Sequence, residues 1–144
     1  MKASGSQDFR TTFPAALAAM EAVAVSVRER LGGFGLSPGD AFAAELLLRE
    51  ALSNAVIHGS HTDETRHVRC AVRIKPDRLL IVVRNEGEGF DWRSVRGRKA
   101  AESAISGRGL ALFDEYADRV RFNRSGTRIT LLKRLSLPTN GENK

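Results

Sequence analysis

Glu50-Ala-Leu-Ser-Asn54-Ala-Val-Ile-His58-Gly59 closes a helical stretch that opens at Ser37-Pro38 and stops at a glycine. Ser37 is a natural N-cap, Pro38 suits the first helical position, and Gly59 suits the end. On a wheel of about 100° per residue, Leu48, Ala51, Leu52 and Ala55 form a continuous apolar face. Glu45, Arg49 and Val56 fall together with Ser53 beside them, as a solvated edge. Glu50, Asn54 and His58 form a third stripe, between Leu46 and Ile57 on one side and Leu47 on the other. Glu50 and Asn54 are therefore expected among apolar neighbours. A polar seam on an amphipathic helix has the same pattern. A buried carboxylate, however, costs on the order of several kcal/mol unless something compensates it. A carboxylate one turn from an amide suits a divalent cation and a moving proton: Asn54 offers a neutral oxygen ligand and Glu50 a proton acceptor. His58 has two readings, as a packing or capping group at the helix end or as a residue near phosphate.

Working outward, Pro14 is expected in the first turn of a helix over 15–31, which Gly32-Gly33 stops; Phe9–Phe13 would be a short edge strand before it. Downstream the rhythm becomes extended. His67–Lys75 and Arg78–Asn85 are β-rich runs separated by Pro76-Asp77, a hairpin signal. A loop rich in Gly and Arg covers 86–106, and a short helix is expected over Gly109–Tyr116. Strands over Arg119–Asn123 and Thr127–Arg134 flank the turn Arg124-Ser-Gly126. The order predicts an α+β fold, a two-layer α/β sandwich with helices on one face of a mixed, largely antiparallel sheet. Residues 1–8 are expected as a flexible N-terminus, 9–135 as the domain and 136–144 as a disordered tail.

Two glycine clusters follow the helix. Asn85-Glu-Gly87-Glu-Gly89-Phe90 comes directly after the apolar run Leu79–Val83, and Gly107-Arg108-Gly109-Leu110 comes directly before a helix. Glycines at such points let backbone N–H groups approach an anion closely, although either cluster alone would pass for a turn. Gly126-Thr127, before the last strand, would by itself be a hairpin turn.

The 144 residues suit one domain, and 42% apolar with 28% charged residues is a soluble globular composition. No run approaches the roughly 18 apolar residues of a membrane span, and the N-terminus has no secretory apolar core. The lone Cys70 cannot make an internal disulfide and lies in an apolar run, so it is expected as a small buried hydrophobe; a cytoplasmic location follows from these features. The net charge of +6 invites anionic partners. No nucleic-acid-reading motif accompanies it, so direct nucleic-acid binding is not expected.

In order, the three glycine elements and the Glu50/Asn54 helix resemble the Bergerat-type ATP-binding fold shared by type II topoisomerases, heat-shock chaperones, MutL-type ATPases and histidine kinases. Within that superfamily the chain looks most like the anti-sigma-factor serine/threonine kinases. Glu50 to Gly59 matches the family's asparagine box, Asn85 to Asp91 the first glycine box, Gly107 to Leu112 the second, and Gly126-Thr127 the closing element. The resemblance runs from about Phe9 to Arg134.

The resemblance implies a role for each matched position. Asn54 would coordinate Mg²⁺ on the phosphates of ATP, and Glu50 would orient or deprotonate the attacking group. Gly87 and Gly89 would let the chain pass close to the nucleotide, with Phe90 lining the adenine pocket. Gly107, Arg108, Gly109 and Leu110 would present donors to phosphate, and the Thr127 hydroxyl would help hold adenine. Trp92 to Ser106 would be a lid whose Arg93, Arg96, Arg98 and Lys99 reach phosphate or stay solvated. The family usually has aspartate where Asn85 stands. The exchange keeps an acceptor oxygen for the adenine amino group but loses the charge, at a cost of about 1–2 kcal/mol.

The chain carries neither the dimerising helix pair of a sensor kinase nor the transducer domains of the larger ATPases. The resemblance therefore implies a kinase that phosphorylates a small anti-anti-sigma (STAS-type) partner, holds a sigma factor, and forms a homodimer. The alternative is a regulatory binding module with weakened or lost nucleotide binding.

Overall fold

Residues 6–87 and 111–136 are described in the computed structural model. Five strands form one sheet in the order β1-β2-β3-β5-β4: β1 (Gln7–Pro14), β2 (His67–Lys75), β3 (Arg78–Asn85), β4 (Arg119–Phe122) and β5 (Arg128–Arg134). The α+β layering is as expected. Every pairing among the described residues is antiparallel, where the sequence had suggested a mixed sheet. For β2–β3 and β4–β5 the reason lies in the links, which are short turns, whereas a parallel neighbour would need a long crossover.

The alternation along each strand decides which face is covered. β2 buries Val68, Cys70, Val72 and Ile74, and β3 buries Leu79, Ile81, Val83 and Asn85. Helix α1 (Leu17–Gly32) lays Val23, Ala24, Val27 and Leu31 into the same core, and α2 (Pro38–Ser53) adds Leu47, Leu48, Ala51 and Leu52. Phe113, in the helical segment 111–116, is fully buried with them. Burying each large apolar side chain contributes about 1.5–3 kcal/mol, so one-sided alternation is enough to place both helices on one face. Cys70 belongs to this core, and burial pushes its thiol up to about 12, as a small hydrophobe rather than a reactive group.

The start of α2 is built as expected: Ser37 Oγ accepts from Asp40 N at 3.1 Å, with Pro38 in the first turn. Asp40, buried, also accepts from Ser136 N at 2.6 Å through Oδ2, which pins the end of the described chain to this helix. Pro14 corrects the sequence expectation. It is the last residue of β1 and pairs with His67, and α1 begins at Leu17 after an extended Ala16. An edge strand tolerates a residue without an N–H, so proline fits a strand end as well as a helix start. β1 also takes in Gln7 and Asp8, assigned from sequence to the flexible segment. Ser136 is described, whereas residues 137–144 of the expected tail lie outside the described residues.

Candidate functional site

The stripe that singled out Glu50 and Asn54 ends in a change of helical geometry. After Ser53 the helix widens into a π-helical turn, Asn54–Gly59, with Ser60 N donating to Ala55 O at 2.9 Å. Such turns are uncommon and recur at functional sites. Each residue in the wider turn lags on the wheel, which carries Val56 back towards the line of Leu52. Val56 is accordingly fully buried, not on the solvated edge that a uniform wheel assigned to it.

Asn54 begins this turn. Its side chain is 8% exposed, and among the described residues neither Oδ1 nor Nδ2 has a hydrogen-bond partner. A buried amide left unpaired costs about 1–3 kcal/mol, so it stands out against the rule that buried polar groups are satisfied. Glu50, one turn earlier, is half-buried. The half-buried His58 has an Nε2 without a partner among the described residues, and its pKa is held below the usual value by burial first and then by His61.

β3 delivers Asn85 to the same place. Its backbone N donates to Thr127 O at 2.9 Å, its Nδ2 donates to Glu86 O at 3.1 Å, and it is 7% exposed. The side chain lies against the backbone of Gly59, where a Cβ would stand only 2.6 Å from Asn85 Cγ. Gly59 is thus a contact surface as well as a helix end. Gly87 follows with φ of +110°, and a Cβ there would run into Arg66 Nη1. Thr127 sits beyond Gly126, whose φ is +76°. Its hydroxyl receives a bond from Asn123 Nδ2 and shares another with Ser125 Oγ, each at 2.9 Å.

Asn54, Asn85 and Thr127 meet around one cleft of about 20 Å³, with Ala51, Val83, Phe122 and Ile129 in its apolar lining. That volume holds about one water. Glu50 and His58 do not line it. Gly89, Phe90, Gly107, Arg108, Gly109 and Leu110 lie outside the described residues, as does the expected lid from Trp92 to Ser106. The unpaired Asn54 oxygen fits a hard cation, which favours neutral and anionic oxygen ligands. Among the described residues no group of three or more His, Cys, Asp or Glu side chains is placed to hold a metal by itself, so a cation here would draw further oxygens from a ligand or water.

Sequence reasoning missed the residues that hold this arrangement together. Ser60 is fully buried, and its Oγ donates to Glu86 O at 3.2 Å, tying the helix end to the loop after β3. Glu86 in turn accepts from His67 N at 2.8 Å. The Ser60 bond had no local signal, since its partner lies 26 residues along the chain. The contact of Asn85 with Gly59 had no local signal.

The model of the histidine kinase-like ATPase domain matches residues 13–133. The serine-protein kinase RsbW of Bacillus licheniformis is 30% identical over 111 residues, which is 71% of this chain and 69% of that protein. RsbW of Bacillus subtilis (strain 168) is 29% identical over 101 residues, covering 64% and 63%. The anti-sigma F factor of Oceanobacillus iheyensis is 27% identical over 97 residues, covering 62% and 66%. The alignments thus span about two thirds of each curated relative's length. The crystal structure of the RsbU and RsbW domains of Rv1364c from Mycobacterium tuberculosis superposes with a TM-score of 0.61 at 20% identity. That match covers 92% of this chain and 33% of the other, and it carries the fold alone.

Proposed function

This chain belongs to the histidine kinase-like ATPase family and, within it, to the anti-sigma kinases, and on that premise we propose that it is an ATP-dependent serine/threonine protein kinase acting on a small STAS-type anti-anti-sigma partner. In this role it would hold a sigma factor until that partner displaces it. The observation that carries the proposal is the buried amide of Asn54, unpartnered among the described residues, one turn after Glu50 and facing a cleft shared with Asn85 and Thr127.

The residues divide the work by position. Asn54 would hold Mg²⁺ through Oδ1, and the cation when bound would neutralise charge on the phosphates. Asn85 and Thr127, which line one cleft, would grip the base, and Gly59 and Gly87 keep that wall close to the helix end. Glu50 would take the proton from the partner's hydroxyl as its oxygen attacks the terminal phosphorus and the bond to the bridging oxygen breaks to release ADP, so that catalysis rests on positioning and charge.

A second reading, a binding module that does not transfer phosphate, is favoured by one observation. Asn85 replaces the family's aspartate, and its Nδ2 is already engaged with Glu86 O. Calorimetric titration with ATP, with and without Mg²⁺, followed by phosphotransfer to a purified STAS-type partner, separates the two. Magnesium-dependent binding with transfer is expected, and Glu50→Gln should keep the binding and lose the transfer. Binding without transfer would support the module; transfer by Glu50→Gln at the normal rate would remove Glu50 as the base.

A further inference from the structure

The face of the sheet turned away from the helices carries an apolar centre inside a basic rim. The strand register sets this out in four rows. At one end, Thr12, Arg69, Arg84 and Arg128 stand directly opposite one another across β1, β2, β3 and β5. At the other end, Lys75, Arg78 and Arg134 do the same. Between them Ala71 faces Val82, and Leu80 faces Leu132, all half-buried. Arg10 closes this centre on the β1 side, and Arg119 and Arg121 close it on the β4 side.

The arginines are not there for the stability of the sheet. Like charges directly opposite one another across strands destabilise it, and Arg69–Arg84–Arg128 is three in succession. Arg10, Arg69, Arg84 and Arg128 make no ion pair among the described residues, and together they border a shallow depression of about 600 Å³. Asp8 is the one acidic side chain in the four rows, and it is bound to Arg73 at 2.8 Å.

We propose that this face is a docking surface for an acidic protein, whose apolar patch covers Ala71, Leu80, Val82 and Leu132 and whose carboxylates meet the arginine rim. Three features select that occupant. An apolar centre within a polar rim is the anatomy of a protein interface, and arginine, with its rigid fork for carboxylates, is the cation enriched there while lysine is depleted. A single-stranded nucleic acid would favour aromatic platforms for its bases, and these rows contain no aromatic residue; a duplex would favour an unbroken basic surface, which the apolar centre interrupts. A second copy of the chain would set arginines against arginines, which costs binding energy. The surface lies on the opposite side of the sheet from the Asn54 cleft, so it does not depend on the proposed kinase activity.

The test uses the full chain and labelled helical peptides at about 0.15 M salt, where exposed charges are screened beyond about 8 Å. One peptide presents a leucine face bordered by glutamates; a second has the same charge and no leucine; a 20-base-pair DNA duplex is the third probe. The leucine–glutamate peptide is expected to bind at least tenfold tighter than the other two. Arg69→Gln/Arg84→Gln/Arg128→Gln should weaken it at least tenfold while raising the thermal midpoint, which separates lost docking from lost folding. Equal binding of the leucine-free peptide, or tighter binding of the duplex, would show a general polyanion surface instead. Retained affinity or a lowered midpoint in the triple variant would overturn the role of the arginines. A dimer in sedimentation that the triple substitution dissociates would make a second copy the occupant.

Discussion

Replacing Gly59 by alanine tests whether the end of the helix and Asn85 are built as one unit. The added Cβ would stand 2.6 Å from Asn85 Cγ and 2.7 Å from both Nδ2 and Oδ1, closer than side chains approach. Asn85 has little room to retreat. Its backbone is held by Thr127 O at 2.9 Å, its amide by Glu86 O at 3.1 Å, and it is 7% exposed. Overpacking of this kind costs about 1–3 kcal/mol, and losing the amide bond adds about 1 kcal/mol. Gly59 does not have a positive φ, so alanine recovers up to about 1 kcal/mol of helix propensity. The net expectation is a loss of about 1–3 kcal/mol, or about 4 °C in Tm per kcal/mol for a chain of this size. Urea unfolding of the parent, Gly59→Ala, Asn85→Ala and the double variant measures the contact directly. With Asn85 truncated the new methyl has space, so Gly59→Ala should become neutral or stabilising, with a coupling energy of about 2 kcal/mol. If Gly59→Ala is as stable as the parent, or if the two changes add to within about 0.5 kcal/mol, the contact does not constrain the site.

Asn54→Leu should raise the stability of the nucleotide-free protein by about 1–2 kcal/mol, because it removes two buried atoms that have no partner, and should abolish Mg²⁺-dependent ATP binding. Urea midpoints and calorimetry read both effects; a destabilising leucine would mean that the amide is paired in solution. Asn85→Asp should tighten ATP binding by about tenfold yet lower the Tm, since a carboxylate would then face the Glu86 carbonyl. Weaker ATP binding would remove residue 85 from the base contact. His58 has a folded pKa below its ordinary value of about 6.5. The unfolded chain therefore takes up its proton first, and stability is lost as pH falls from about 6.5 towards the folded value. Urea midpoints compared at about pH 7.5 and 5.5 should show a smaller loss in His58→Gln; an equal loss would exclude His58 as the titrating group.

The strands β2 and β3 were legible to the residue, because each alternates apolar and polar side chains and a Pro-Asp turn separates them. The N-cap of α2 was legible because Ser37 bonds a neighbour three residues along the chain. Pro14 misled because one property, the missing N–H, suits both a helix start and an edge-strand end, and only pairing with His67 distinguishes them. Val56 misled for a subtler reason: a uniform wheel cannot anticipate a π turn, which packing against the core sustains.

The candidate site divides in the same way. Local sequence marked Glu50, Asn54, Asn85 and Thr127, since residue type and glycine context travel with the chain. That Asn54 is left without a partner, that Asn85 rests on Gly59, and that Ser60 ties the helix end to Glu86 are contacts between segments far apart in sequence. The arginine face belongs with them. Its residues lie scattered from Arg10 to Arg134, and only the antiparallel register sets them in rows. By itself the sequence determined the alternation, the turns and the chemistry available at each position, because these depend on near neighbours. The tertiary structure decided which groups meet and which are left unpaired, because both depend on register and packing between distant strands and helices.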